Sequence, residues 1–107
     1  MNEPQVALGK RIRNLRDGMG FTQDRLAEMA GISLKHLGEL ERGRGNPTLS
    51  SLKGLSDALD VSLVELFSYD HEQLSEEQIR EQAVQAIKDA PGRECRTFYR
   101  VLRALTK

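Results

Sequence analysis

Lys35, Glu39 and Arg42 recur at i, i+4 and i+7, which sets three charged side chains on one face of a helix. Gly38 lies among them, Leu34 flanks them, and Leu37 and Leu40 define the opposite, buried direction. Lys35 can donate to guanine O6 or N7, Glu39 can accept from cytosine N4, and Leu34 can touch a thymine methyl. Arg42, further along the helix, suits a phosphate. Gln23, at the start of the preceding helix, can give its amide to another phosphate, helped by the positive helix N-terminus. The alternative is a plain solvated face. Gly38 argues against that, because a mid-helix glycine costs roughly 1 kcal/mol relative to alanine. It points to relief of crowding against DNA or against a neighbouring helix.

The elements that must position these residues are legible around them. Residues 21–43 read as two short helices joined by a tight turn, with Leu26 and Ala27 on the first and Gly31 at the corner. Ile32, Leu37 and Leu40 follow at offsets that turn the outer face of the second helix toward a major groove. Thr22 and Ser33 are the N-caps, and the second of these helices is expected to end at Gly43. Before them, Leu8, Ile12, Leu15 and Met19 form one apolar stripe, predicting a first helix from about Val6 to Met19 that Gly18 and Gly20 close. Glu41 points toward the packed side, where Arg16 is a plausible ionic partner. After the turn at 44–47, a fourth helix starts near Thr48, with Leu52, Leu55 and Leu59 on an apolar face that Leu49 extends. Ser62 and Glu65 form a capping box for a short fifth helix.

A polar stretch from Ser68 to Leu74 marks a boundary, giving units 1–69 and 70–107. Ser75 and Gln78 open a sixth helix to about Ala90, with Ile79, Ala83, Ala86 and Ile87 on one side. Pro91-Gly92 breaks it. A seventh helix from about Arg93 carries Cys95, Phe98, Leu102 and Leu105 on its apolar side and Arg96, Arg100, Arg103 and Lys107 opposite. That basic arc is a solvated face, a second non-specific DNA contact or a surface for an acidic partner. The apolar sides are too large for a lone hairpin to leave exposed. They should dock on the first unit or, preferably, on the same hairpin of a second chain through Ile79, Ala83, Ile87, Phe98, Leu102 and Leu105.

Composition narrows the function classes. Aromatic residues are 5% and apolar residues 38%, which suits an all-α core of leucine, isoleucine and alanine rather than a sheet. Sixteen basic and sixteen acidic residues cancel, so a strongly basic DNA binder is excluded while a local basic surface is not. No run approaches the roughly 18 apolar residues of a membrane span. Met1–Pro4 show no signal-peptide pattern, and Cys95 is alone, so a reducing cytoplasm is expected. His36 and His71 lack companions at metal-ligand spacing, and no metal or cofactor is expected. Ser50 and Lys53 fit the S-x-x-K pattern of a Ser–Lys catalytic pair, but they fall on the fourth helix of a chain with no β-rich domain. No catalytic role is expected of them.

Residues 9–67 resemble the Cro/C1-type, or XRE, helix-turn-helix family of phage and bacterial repressors. The resemblance rests on Gly9-Lys10-Arg11-Ile12-Arg13, Phe21-Thr22-Gln23, Leu26 through Ser33, Leu40-Glu41-Arg42-Gly43, Pro47-Thr48-Leu49, Ala58 through Ser62, and Leu66-Phe67. It implies a five-helix lambda-repressor-like DNA-binding domain, here followed by the two-helix hairpin. It further implies base reading by Leu34, Lys35 and Glu39, and phosphate contacts from Gln23, Ser33, Arg42, Arg44 and the backbone near Asn46. Arg16 and Glu41 match the family's structural ion pair. Leu34 and Lys35 stand where polar amides are common, which leaves the preferred bases open. The function implied is a sequence-specific regulator, a repressor, binding double-stranded DNA at a partly palindromic operator as a homodimer. The alternative is an antitoxin or antagonist-controlled module that binds a toxin or a protein antagonist through the hairpin.

Overall fold

Seven helices follow one another in the computed structural model, which describes residues 3–69 and 74–106. They are α1 (Glu3–Met19), α2 (Gln23–Ala30), α3 (Leu34–Glu41), α4 (Leu49–Ala58), α5 (Leu63–Leu66), α6 (Glu76–Asp89) and α7 (Gly92–Leu105). The chain divides into two units, Met1–Tyr69 and Asp70–Lys107.

In the first unit, α1 packs on α3, α2 on both α3 and α4, and α4 on α5. Ile12, Leu26, Leu37, Leu55 and Leu66 are fully buried at the centre, and each contributes about 1.5–3 kcal/mol by leaving water. Local chemistry sets the helix boundaries. The Thr22 side chain accepts from the Arg25 N–H, and the Ser33 side chain accepts from the His36 N–H. Between them Gly31, at φ 72°, ends α2 by donating its N–H to the carbonyls of Ala27 and Glu28. The corner of the helix-turn-helix needs that left-handed residue. Gly9 serves a different purpose, since a Cβ there would run into the Leu40 carbonyl oxygen. Its absence lets the α1 backbone lie directly on the last turn of α3.

Several boundaries and faces differ from the sequence expectation. Helix α1 begins at Glu3 rather than Val6, and Gly18 lies within it. Met19 and Leu49, both placed on apolar stripes, are exposed. Each sits at a helix end. Helix α3 stops at Glu41 with Arg42 as its cap, two residues short of Gly43.

In the second unit, α6 and α7 pack together. The Ser75–Gln78 capping box is formed in both directions. Among the described residues the unit has no buried side chain, and Ile79, Val84, Phe98, Tyr99 and Leu102 are exposed.

Candidate nucleic-acid interface

Helix α3 is held by its inner face and leaves its outer face open. Leu37 and Leu40 are buried, while Leu34 and Lys35 are exposed and Glu39 is half-buried. Glu39 is partly covered because Gly45 packs beside its Cβ and the Arg44 N–H donates to its carbonyl at 2.9 Å. Gly38 is buried instead of lying open on the outer face. The Arg42 guanidinium lies back over it, so that a Cβ at 38 would stand 3.2 Å from a guanidinium nitrogen. The nearest atoms to such a Cβ all belong to the movable end of Arg42, the α3 cap, rather than to a neighbouring helix.

Beneath α3 lies an ionic bracket. Arg16 donates through Nε to one Glu41 oxygen at 2.8 Å and through Nη2 to the other at 3.0 Å. Its Nη1 donates to the Phe21 carbonyl at 2.9 Å. The hydrogen bond to Glu41 raises the Arg16 pKa, against a smaller opposing effect of burial. Gln23 joins the bracket, donating from Nε2 to Glu41 at 3.0 Å. One amide hydrogen of Gln23 is therefore used internally, and a phosphate would have the second one or the backbone N–H at the helix start.

The other expected contacts surround this core. Ser33 is exposed, and its hydroxyl keeps its proton for donation after accepting from His36 N–H. Arg42, Arg44 and Asn46 are exposed. Further side-chain contacts escaped sequence reasoning. Gln5 donates to Asn46 Oδ1 at 2.7 Å. His36 Nε2 lies 3.2 Å from Ser51 Oγ, which in turn lies 2.8 Å from Thr48 Oγ1. The Gln5–Asn46 and His36–Ser51 contacts join residues far apart in the chain, where no periodic signal exists.

The remaining residues of interest sit elsewhere. Ser50 and Lys53 are on α4, where Lys53 pairs with Asp57 at 2.9 Å. Among the described residues no three His, Cys, Asp or Glu side chains gather as a metal site, and no helix is long and apolar enough to cross a membrane. His71 and Lys107 lie outside the described residues. Arg96, Arg100 and Arg103 are exposed on α7.

Comparison with known proteins gives one consistent answer. The Helix-turn-helix (HTH_3) family model matches residues 12–66. The chain is 32% identical over 84 residues to the HTH-type transcriptional regulator SinR of Bacillus subtilis, covering 78% of this chain and 76% of SinR. It is similar to the restriction-modification controller protein C.AhdI of Aeromonas hydrophila, with a TM-score of 0.61 and 36% identity over 62% of this chain and all of that one. A structure of SinR, described as the master regulator for biofilm formation, in complex with DNA aligns with a TM-score of 0.54 and 35% identity. That match spans 57% of this chain and 98% of the other.

Proposed function

The chain belongs to the helix-turn-helix family of DNA-binding transcriptional regulators, non-enzymatic proteins, and we propose that it is a repressor binding a partly palindromic operator as a homodimer. The observation that carries this reading is the open face of α3. Leu34 and Lys35 are exposed and Glu39 half-exposed on a helix whose other side is fixed by Leu37, Leu40 and the Glu41 bracket. That face enters the major groove, with Leu34, Lys35 and Glu39 reading base edges. Gln23, Ser33, Arg42, Arg44 and Asn46 hold phosphates on either side. Arg16 and Glu41 do not touch DNA; they orient α1 and α2 against α3.

Dimerisation is assigned to the second unit. Ile79, Phe98 and Leu102 are exposed, Ile87 and Leu105 half-buried, and Ala83 exposed between them. A second copy would cover them, and a dimer of this kind reads two half-sites about one helical turn of DNA apart, roughly 34 Å. The same exposed hairpin face supports a second reading, capture of a protein antagonist or toxin. A pull-down with chains ending at Tyr69 separates the two surfaces, because capture that survives truncation excludes the hairpin as the partner site.

Selection of bound duplexes from a random DNA pool tests the main proposal. The expected product is a pair of inverted half-sites whose centres lie about 10 base pairs apart. Recovery of sequences with no shared motif would overturn it.

A further inference from the structure

The loop between α3 and α4 is fastened at both ends. Gly43 and Arg44 donate their N–H groups to Leu40 and Glu39 carbonyls at 3.0 and 2.9 Å, which ties the loop's start to α3. Its far side is tied to α1 by Gln5. The Gln5 Nε2 lies 2.7 Å from Asn46 Oδ1 and 3.4 Å from the Gly45 carbonyl oxygen.

This pairing fixes which way the Asn46 amide faces. A backbone carbonyl can only accept, so Gln5 must turn its NH2 group, rather than its oxygen, toward the loop. Asn46 must then answer with its oxygen, since two NH2 groups cannot bond to each other. The Asn46 NH2 is the half left over, with no partner among the described residues, on an exposed side chain. A neutral NH2 donor held in one orientation matches a phosphate oxygen, which only accepts.

We propose that Gln5 is a positioning residue for backbone recognition: by holding Asn46 Oδ1 it presents Asn46 Nδ2 to a DNA phosphate. The inference rests on the docking proposed above. Gln5 itself need not touch DNA. Preorganisation is the gain, because the donor loses little rotamer freedom on binding.

The probes are a duplex recovered by selection with the wild-type chain and a scrambled duplex of the same length and composition. Gln5→Ala should weaken both by about tenfold, the low end of what one hydrogen bond to a charged acceptor is worth. The salt slope should not change, because no charge is removed. Asn46→Ala should do the same, and the double variant should bind no more weakly than Asn46→Ala alone. Gln5→Glu is the sharper test. Its carboxylate accepts from the Asn46 NH2, which turns Oδ1 outward against the phosphate. Binding should fall further than for Gln5→Ala; with alanine at 46 the part of that excess due to the turned amide should vanish, leaving only the salt-dependent repulsion of the added charge.

A merely structural Gln5 would give losses that track the unfolding midpoint and ignore residue 46, and this would overturn the proposal. So would wild-type binding by Gln5→Ala while Arg44→Ala weakens both duplexes. If Arg44→Ala also left both affinities unchanged, the docking itself would be wrong and this inference would fall with it.

Discussion

Glu41→Ala tests the anchor beneath the recognition helix. The carboxylate side chain is 4% exposed and accepts from Arg16 at 2.8 and 3.0 Å and from Gln23 at 3.0 Å. Its removal leaves a guanidinium side chain that is 12% exposed. The remaining acceptors are the Phe21 carbonyl at 2.9 Å and the Asp17 carboxylate at 3.4 Å. Truncating one partner of a deeply buried pair costs about 3–5 kcal/mol, because the survivor is a charge out of water. Here the pair lies just beneath the surface and two acceptors remain, so the expected loss is smaller, about 2 kcal/mol. At about 4–8 °C per kcal/mol for a domain this size, Tm should fall by roughly 8–16 °C. Arg16→Met combined with Glu41→Leu should recover most of that, since the desolvation cost disappears together with the attraction. Thermal and urea unfolding of the wild type, Arg16→Met, Glu41→Leu and the double variant, followed by circular dichroism, gives the coupling energy. The reasoning is refuted if Glu41→Ala costs less than about 0.5 kcal/mol, as an exposed pair would, or if the double variant loses the sum of the singles. The sign with pH also follows. A raised Arg16 pKa means its stabilisation is fully present below the unfolded pKa and lost only as pH rises through the folded one. Both lie far above neutrality, so the Arg16 side of the bracket should add no pH dependence near pH 7.

Three further outcomes are expected. Gly9→Ala should destabilise by about 2–3 kcal/mol, because its Cβ meets backbone carbonyls that cannot rotate away; Gly18→Ala, in open space within α1, should instead gain up to about 1 kcal/mol. Denaturant midpoints of the two variants check the opposite signs. Lys35→Ala and Glu39→Ala should change the bases recovered by selection, whereas Arg44→Ala should weaken all duplexes evenly and reduce the salt slope by about 1. Phe98→Asp with Leu102→Asp, at side chains 41% and 48% exposed, should shift a dimer to monomer in sedimentation equilibrium while leaving the first unit's helicity unchanged.

What could be read from the sequence is what local chemistry determines. The caps at Thr22, Ser33, Ser62 and Ser75 each involve a partner three residues away, and all four are formed. The buried Ile12, Leu26, Leu37 and Leu55 were legible for the same reason, through helical periodicity. Periodicity says which side of a helix is apolar but not whether that side is covered as far as the helix ends. Met19 and Leu49 are exposed on that account. Gly38 was misread because a helical wheel treats each position as fixed, whereas Arg42 has the reach to lie back along its own helix. The Gln5–Asn46 contact joins residues 41 apart, and no spacing rule links two amides at that distance.

Glu41 occupies a position that helix electrostatics disfavours. A carboxylate in the last turn faces the negative end of the helix dipole, so α3 alone would be better served by lysine or an uncharged residue. Leu37 and Leu40 already bury the inner face, and apolar packing alone would hold the helix down. Such packing is non-directional and sets no angle sharply. Three hydrogen bonds converging on one carboxylate do, and they come from two other helices, Arg16 on α1 and Gln23 at the start of α2. The start of α2 is where a phosphate is proposed to bind, and α3 is where bases are proposed to be read. One side chain therefore sets the offset between the two classes of contact. On this argument the Arg16→Met, Glu41→Leu protein should regain its unfolding midpoint yet discriminate less well between selected and scrambled duplexes.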